Sequence, residues 1–133
     1  MDSDEKVVAR ARSRITMLPA TARAIAANEM KKGDVLGAAR FAGVQAAKEA
    51  ASYLPLSDPE LVSGVAVDFV VDEDSIEVST RVTSDTLTGA RMHALSATTV
   101  ATLTIYDMCK SADRTMRIGP VAVLDVPPAE APD

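Results

Sequence analysis

The chain has 133 residues, of which 47% are hydrophobic and 3% aromatic, with no Trp and a formal net charge of −5. This is the length of one domain and a globular composition, enough to bury a core built from Ala, Val, Leu, Ile and Met. An acidic chain lacks the dense Lys/Arg footprint that a nucleic-acid backbone or an anionic membrane surface requires, but a few local cations still suit it to a small polyanionic substrate.

Met1 to Glu5 carries no apolar run of the signal-peptide kind, and no run approaches the ~18 apolar residues of a membrane span. A cytoplasmic protein is expected. Residues 12–17 alternate and predict a strand. Pro19 suits the first turn of a helix, and residues 20–29 are strong helix formers. Lys31-Lys32-Gly33-Asp34 breaks the pattern. Asp34 then favours the start of an Ala-rich helix over residues 35–53, where Gly37, Ala38, Ala42, Gly43, Ala46 and Ala47 leave one face almost without bulk. That face is expected to admit a close neighbour, including one from another subunit.

Pro55 and Pro59 bracket a loop. Residues 62–71 and 76–82 alternate around the turn Asp72-Glu73-Asp74-Ser75 and predict an antiparallel hairpin. Thr88-Gly89 opens a helix to about residue 112, with Met92, Leu95, Thr99, Leu103 and Tyr106 at helical spacing. Residues 116–126 read as a last strand. The order β-α-α-β-β-α-β implies an α+β fold, with helices on one face of an antiparallel sheet. The domain is expected over residues 6–126, and residues 127–133 read as a disordered Pro-rich tail.

Chemistry is hard to find by generic motif. The single cysteine, Cys109, excludes a disulfide framework and any Cys-based zinc site. Phosphate-binding glycine loops, H-E-x-x-H and C-x-x-C are all absent.

Two stretches carry more. Lys32-Gly33-Asp34-Val35-Leu36 runs through Ala39-Arg40-Phe41-Ala42-Gly43-Val44-Gln45-Ala46-Ala47-Lys48 to Leu54-Pro55-Leu56, and Thr88-Gly89 runs to Leu103-Thr104-Ile105-Tyr106-Asp107-Met108-Cys109-Lys110. The first resembles the segment of the MoaC family between its K-G-D-V and P-L-C-H-P motifs. The second is similar to that family's T-G-V-E-M-E-A-L followed by L-T-I-Y-D-M-C-K, and Ile118-Gly119-Pro120-Val121 fits its last strand.

The resemblance implies a ferredoxin-like fold and a hexamer, a trimer of dimers with active sites between subunits. It also implies a lyase of molybdenum cofactor biosynthesis, which rearranges 3′,8-cyclised dihydro-GTP into cyclic pyranopterin monophosphate and releases pyrophosphate. No metal-ligand motif or cofactor comes with it; Mg²⁺ would accompany a triphosphate substrate. Lys32, Asp107 and Lys110 match catalytic positions of the family.

Four matching positions depart from the pattern, three of them where the family keeps acid–base residues. Ser57-Asp58 stands where the family has Cys-His, and Arg91-Met92-His93 where it has Glu-Met-Glu. Arg91 cannot act as a base but can grip phosphate or carboxylate in a fork. Asp58 and His93 would form a new acid–base pair if they met, the carboxylate raising the imidazole pKa. The expected catalytic set is therefore Lys32, Asp107, Lys110, His93 and Asp58, with Arg91, Met92 and Ser57 binding substrate and no metal ligands. A site still full of charged groups implies an enzyme retuned for another nucleotide-derived or anionic heterocyclic substrate. The alternatives are a genuine synthase with an unusual site, and a non-catalytic relative that binds a ligand or co-assembles.

Overall fold

A computed structural model describes residues 5–56 and 61–124. The chain order is β1 (Val7–Thr16), α1 (Pro19–Ala26), α2 (Val35–Lys48), β2 (Gly64–Val71), β3 (Ser75–Ser84), α3 (Leu87–Cys109) and β4 (Arg117–Val123). The four strands form one sheet in the order β2-β3-β1-β4, every neighbour antiparallel. This is the expected α+β, ferredoxin-like arrangement. The expected tail, residues 127–133, lies outside the described residues.

β1 starts five residues before the expected position. Val7, Ala9, Ala11, Ser13 and Ile15 turn towards the helices, while Val8, Arg10, Arg12, Arg14 and Thr16 stand on the open face. The strand was hard to see because alanine fills its inner positions and arginine its outer ones, neither a strong strand former. Pairing with β3 in unbroken register from Val7↔Ser84 to Thr16↔Ser75 supplies the stability that propensity does not.

The helices end earlier than expected, each for a local reason. Asn28 adopts φ 57° after α1, and Glu29 N–H donates to the Ala24 carbonyl at 2.8 Å. Asn28 N–H donates to Ile25, completing a left-handed C-terminal cap. α2 stops at Lys48 and passes into a 3-10 turn, Ala50–Ser52. Leu54 precedes Pro55, a placement that disfavours helical backbone, and the Tyr53 hydroxyl donates to the freed Ala46 carbonyl at 2.9 Å.

The core lies between the sheet and the helices. Ile15, Ile76, Val78 and Ile105 are wholly buried near one end, and Ala9, Ala11, Val82, Ala90, Ala94 and Ala97 near the other. Much of the small-residue face of α2 is used within the chain. An added Cβ at Gly43 would stand 3.0 Å from the Ala97 carbonyl oxygen, 3.1 Å from the Ala101 methyl and 3.3 Å from Val67. Thus α2 sits tightly in the angle between α3 and β2.

α3 inverts the expectation drawn from its larger apolar residues. Its buried face is Ala90, Ala94, Ala97, Ala101 and Ile105, with Thr98 donating to the Val78 carbonyl and Thr102 bonded to Ser13. Leu103 and Tyr106 lie on the outside, 52% and 39% exposed, and Met92 and Leu95 are only half-buried. No described helix is long and apolar enough to cross a membrane.

Candidate functional site

The K-G-D-V turn and the end of α3 bring three of the expected residues together. Gly33 has φ 114°, a left-handed conformation that a side chain resists. Asp34 follows as the N-cap of α2, its carboxylate accepting from Gly37 N–H at 3.0 Å. Val35 is then buried in the core. Glycine, cap and anchor fix the loop, and Lys32 projects from it exposed to solvent.

On α3, Asp107 and Lys110 face outward one turn apart, and the Lys110 ammonium donates to the Asp107 carboxylate at 2.8 Å. That hydrogen bond and its charge lower the Asp107 pKa, with Lys32 adding to the effect. The same bond raises the pKa of Lys110. At neutral pH the end of α3 therefore carries a fixed carboxylate and a fixed ammonium, with a second ammonium close enough to favour the carboxylate. Between them Cys109 points inward, wholly buried, and burial followed by the Asp113 charge pushes its thiol pKa up. It is a core residue without thiolate character.

Asp113 supports this end from beneath, and no motif in the sequence marks it. α1 has no side-chain cap of its own. The Asp113 carboxylate accepts from Leu18 N–H at 2.9 Å and from the Thr21 hydroxyl at 2.7 Å. Its other oxygen accepts from Thr115 N–H and hydroxyl, at 2.8 and 2.7 Å. Burial alone would raise its pKa, but the bonds from Thr115, Leu18 and Thr21 outweigh that and hold it at about 2. One carboxylate thus fastens the loop after α3 to the start of α1.

The remaining expected residues lie elsewhere. From Arg91 to Asp107 the helix rises roughly 24 Å, so Arg91, Met92 and His93 stand at the far end of α3 from the Lys32–Asp107–Lys110 group. Met92 borders a mostly apolar hollow of about 460 Å³ beside Tyr53, Leu54 and Leu95. Arg91 is half-buried. His93 is 1% exposed, and neither ring nitrogen has a hydrogen-bond partner among the described residues. Ser57 and Asp58 lie outside the described residues. Among those residues no three His, Cys, Asp or Glu side chains gather as metal ligands.

Comparison with known proteins gives this arrangement a context. The family model described as MoaC family matches residues 2–126. A protein of Roseiflexus sp. (strain RS-1) named cyclic pyranopterin monophosphate synthase is 47% identical over 116 residues, 86% of this chain and 73% of the relative. A protein of the same name from Desulforamulus reducens is 45% identical over 112 residues, 84% of this chain and 68% of the relative. A molybdenum cofactor biosynthesis bifunctional protein of Chlorobaculum tepidum is 43% identical over 111 residues, which are 36% of its own length.

Proposed function

The chain belongs to the MoaC family, and from that membership we propose that it rearranges a nucleotide-derived, anionic heterocycle, with Lys32, Asp107 and Lys110 as its reacting side chains. It is an enzyme of the cyclic pyranopterin monophosphate synthase type, a lyase of molybdenum cofactor biosynthesis. The observation that carries the assignment of residues is the ion pair of Asp107 and Lys110 beside the Lys32 loop. Lys110, kept protonated by Asp107, offers a cation and a proton to negative charge developing on the substrate. Asp107 holds that ammonium in place and accepts a donor of the substrate. Lys32 supplies a second cation from the opposite loop. Preset charges of this kind stabilise a transition state without reorganising.

This reading keeps the substrate distinct from that of the named relatives because of positions 58, 91 and 93. Arg91 is a permanent cation and takes no proton. Asp58 and His93 are assigned as a replacement acid–base pair, with Ser57, Arg91 and Met92 on the substrate. His93 can fill that role only if the assembled site uncovers its ring. On this assignment a second copy of the chain completes the site, because the two groups stand at opposite ends of α3, and the proposed assembly is a homo-oligomer, a hexamer built as a trimer of dimers. The site needs no resident metal, and Mg²⁺ would arrive with a triphosphate substrate. A second reading, the synthase reaction itself, is favoured by the 47% and 45% identities to proteins of that name.

Incubation with 3′,8-cyclised dihydro-GTP, followed by mass spectrometry for cyclic pyranopterin monophosphate and pyrophosphate, separates the two. Retuning predicts no product from a folded, assembled protein. Product that disappears in Lys32→Ala overturns retuning and leaves the synthase. Repeating the assay with His93→Gln on whichever substrate is turned over tests the new pair, which fails if turnover is unchanged.

A further inference from the structure

The open face of the sheet concentrates positive charge that the chain as a whole lacks. β1 and β3 place Arg10 directly opposite Arg81, and Arg12 and Arg14 follow on the same face of β1. Like charges directly across a strand pair repel at a Cβ separation of about 5 Å. Arg12 has Glu77 at 3.6 Å. Neither Arg10 nor Arg81 makes an ion pair or a side-chain hydrogen bond with any described residue.

Around this pair the surface is hollowed. A depression of about 330 Å³ is bordered by Val8, Arg10, Gly64, Ala66, Arg81 and Thr83, with no carboxylate of the described residues in its lining. A second, of about 270 Å³, shares Arg10 and Arg81 and continues over Ser79. Asp68 borders that second hollow and is its only acidic lining residue among the described residues. The hollow exists because β2 presents Gly64 and Ala66 beside the guanidinium groups, where longer side chains would fill it.

We propose that Arg10 and Arg81 form a binding site for a phosphate chain, gripped between the two guanidinium forks with the Thr83 and Ser79 hydroxyls alongside. Two cations held together with no carboxylate of the described residues paired to either are relieved by one multivalent anion, and a guanidinium fork matches phosphate oxygens in pairs. The site lies on the opposite face of the sheet from the helices, so within one chain it is separate from Lys32, Asp107 and Lys110. It does not depend on the reaction proposed above, because binding is read without turnover.

The test is titration calorimetry of the full-length protein with inorganic tripolyphosphate, at low and at raised salt. Binding should weaken with salt, fall by about tenfold or more in Arg10→Gln and Arg81→Gln, and persist in Lys32→Ala. Arg81→Lys keeps the charge and loses the fork, so it should bind between the wild type and Arg81→Gln; it also serves if the Gln variants do not fold, as checked by circular dichroism and sedimentation. Equal affinity for GTP and tripolyphosphate would mean that the phosphate chain alone is recognised, and tighter GTP binding a nucleotide-bearing ligand. Undiminished binding in folded arginine variants, an equal loss in Lys32→Ala, or no binding because a second copy covers the face would each overturn the proposal.

Discussion

Asp113 shows how much one residue can contribute to a site it does not enter. With its pKa held at about 2, against 3.8 for a free side chain, its bonds favour the folded state by roughly 2 kcal/mol at neutral pH. The folded value is the lower one, so this contribution is complete above about pH 4 and is lost as the pH falls towards 2. Asp113→Asn should therefore lower stability at pH 7 by roughly 2 kcal/mol and flatten the acid limb of the stability profile, measured by urea unfolding between pH 2 and 7. A variant that keeps the wild-type acid limb would show that another group controls it. The sequence could not disclose this residue, because its partners Leu18 and Thr21 lie 95 and 92 positions away. Gly33, Asp34 and Val35 were legible as a motif, and the structure supplies its physical sense: a left-handed turn, a helix cap and a buried anchor, in that order.

At the scale of elements, the order of strands and helices followed from alternation and helical spacing, because those periods reflect which face is buried. Their ends did not follow, since Asn28 stops α1 through a left-handed cap and Pro55 shortens α2 through its predecessor. The faces were misleading on α3, where the conspicuous apolar stripe is outside and alanines are inside. Close packing explains that reversal. α2 and α3 meet through Gly43, Ala97 and Ala101, which leaves no room for leucine. Gly43→Val places a branched side chain against the Ala97 carbonyl, a backbone atom that cannot swing aside. It should cost about 2–3 kcal/mol despite the better helix propensity of valine over glycine. Urea denaturation with an unchanged m-value is the measurement, and an unaltered midpoint would mean that the two helices separate more easily than this contact implies.

For the whole molecule, the decisive feature is that the site positions proposed above lie at both ends of α3, which a single chain cannot fold together. On the proposed assignment Lys32, Asp107 and Lys110 form one half of the site, and Arg91, Met92 and His93 lie roughly 24 Å away along a continuous helix. Substrate can meet both halves only where the near end of one α3 approaches the far end of another. Apolar residues left outside, Leu103, Tyr106 and Tyr53 among them, give such a contact surface to bury. The proposed assembly thus makes a prediction that neither half makes alone. Lys110→Ala and Arg91→Ala proteins should each lose turnover of the substrate identified for the wild type. Unfolded together and refolded, they should regain up to about one quarter of wild-type activity, since a random two-fold mixture is half heterodimer and each heterodimer has one undamaged site. Recovery would place residues 91 and 110 of different chains in one active site. A mixed oligomer that forms, as native mass spectrometry would show, yet stays inactive would mean that each chain needs both residues itself, and the shared site would fall.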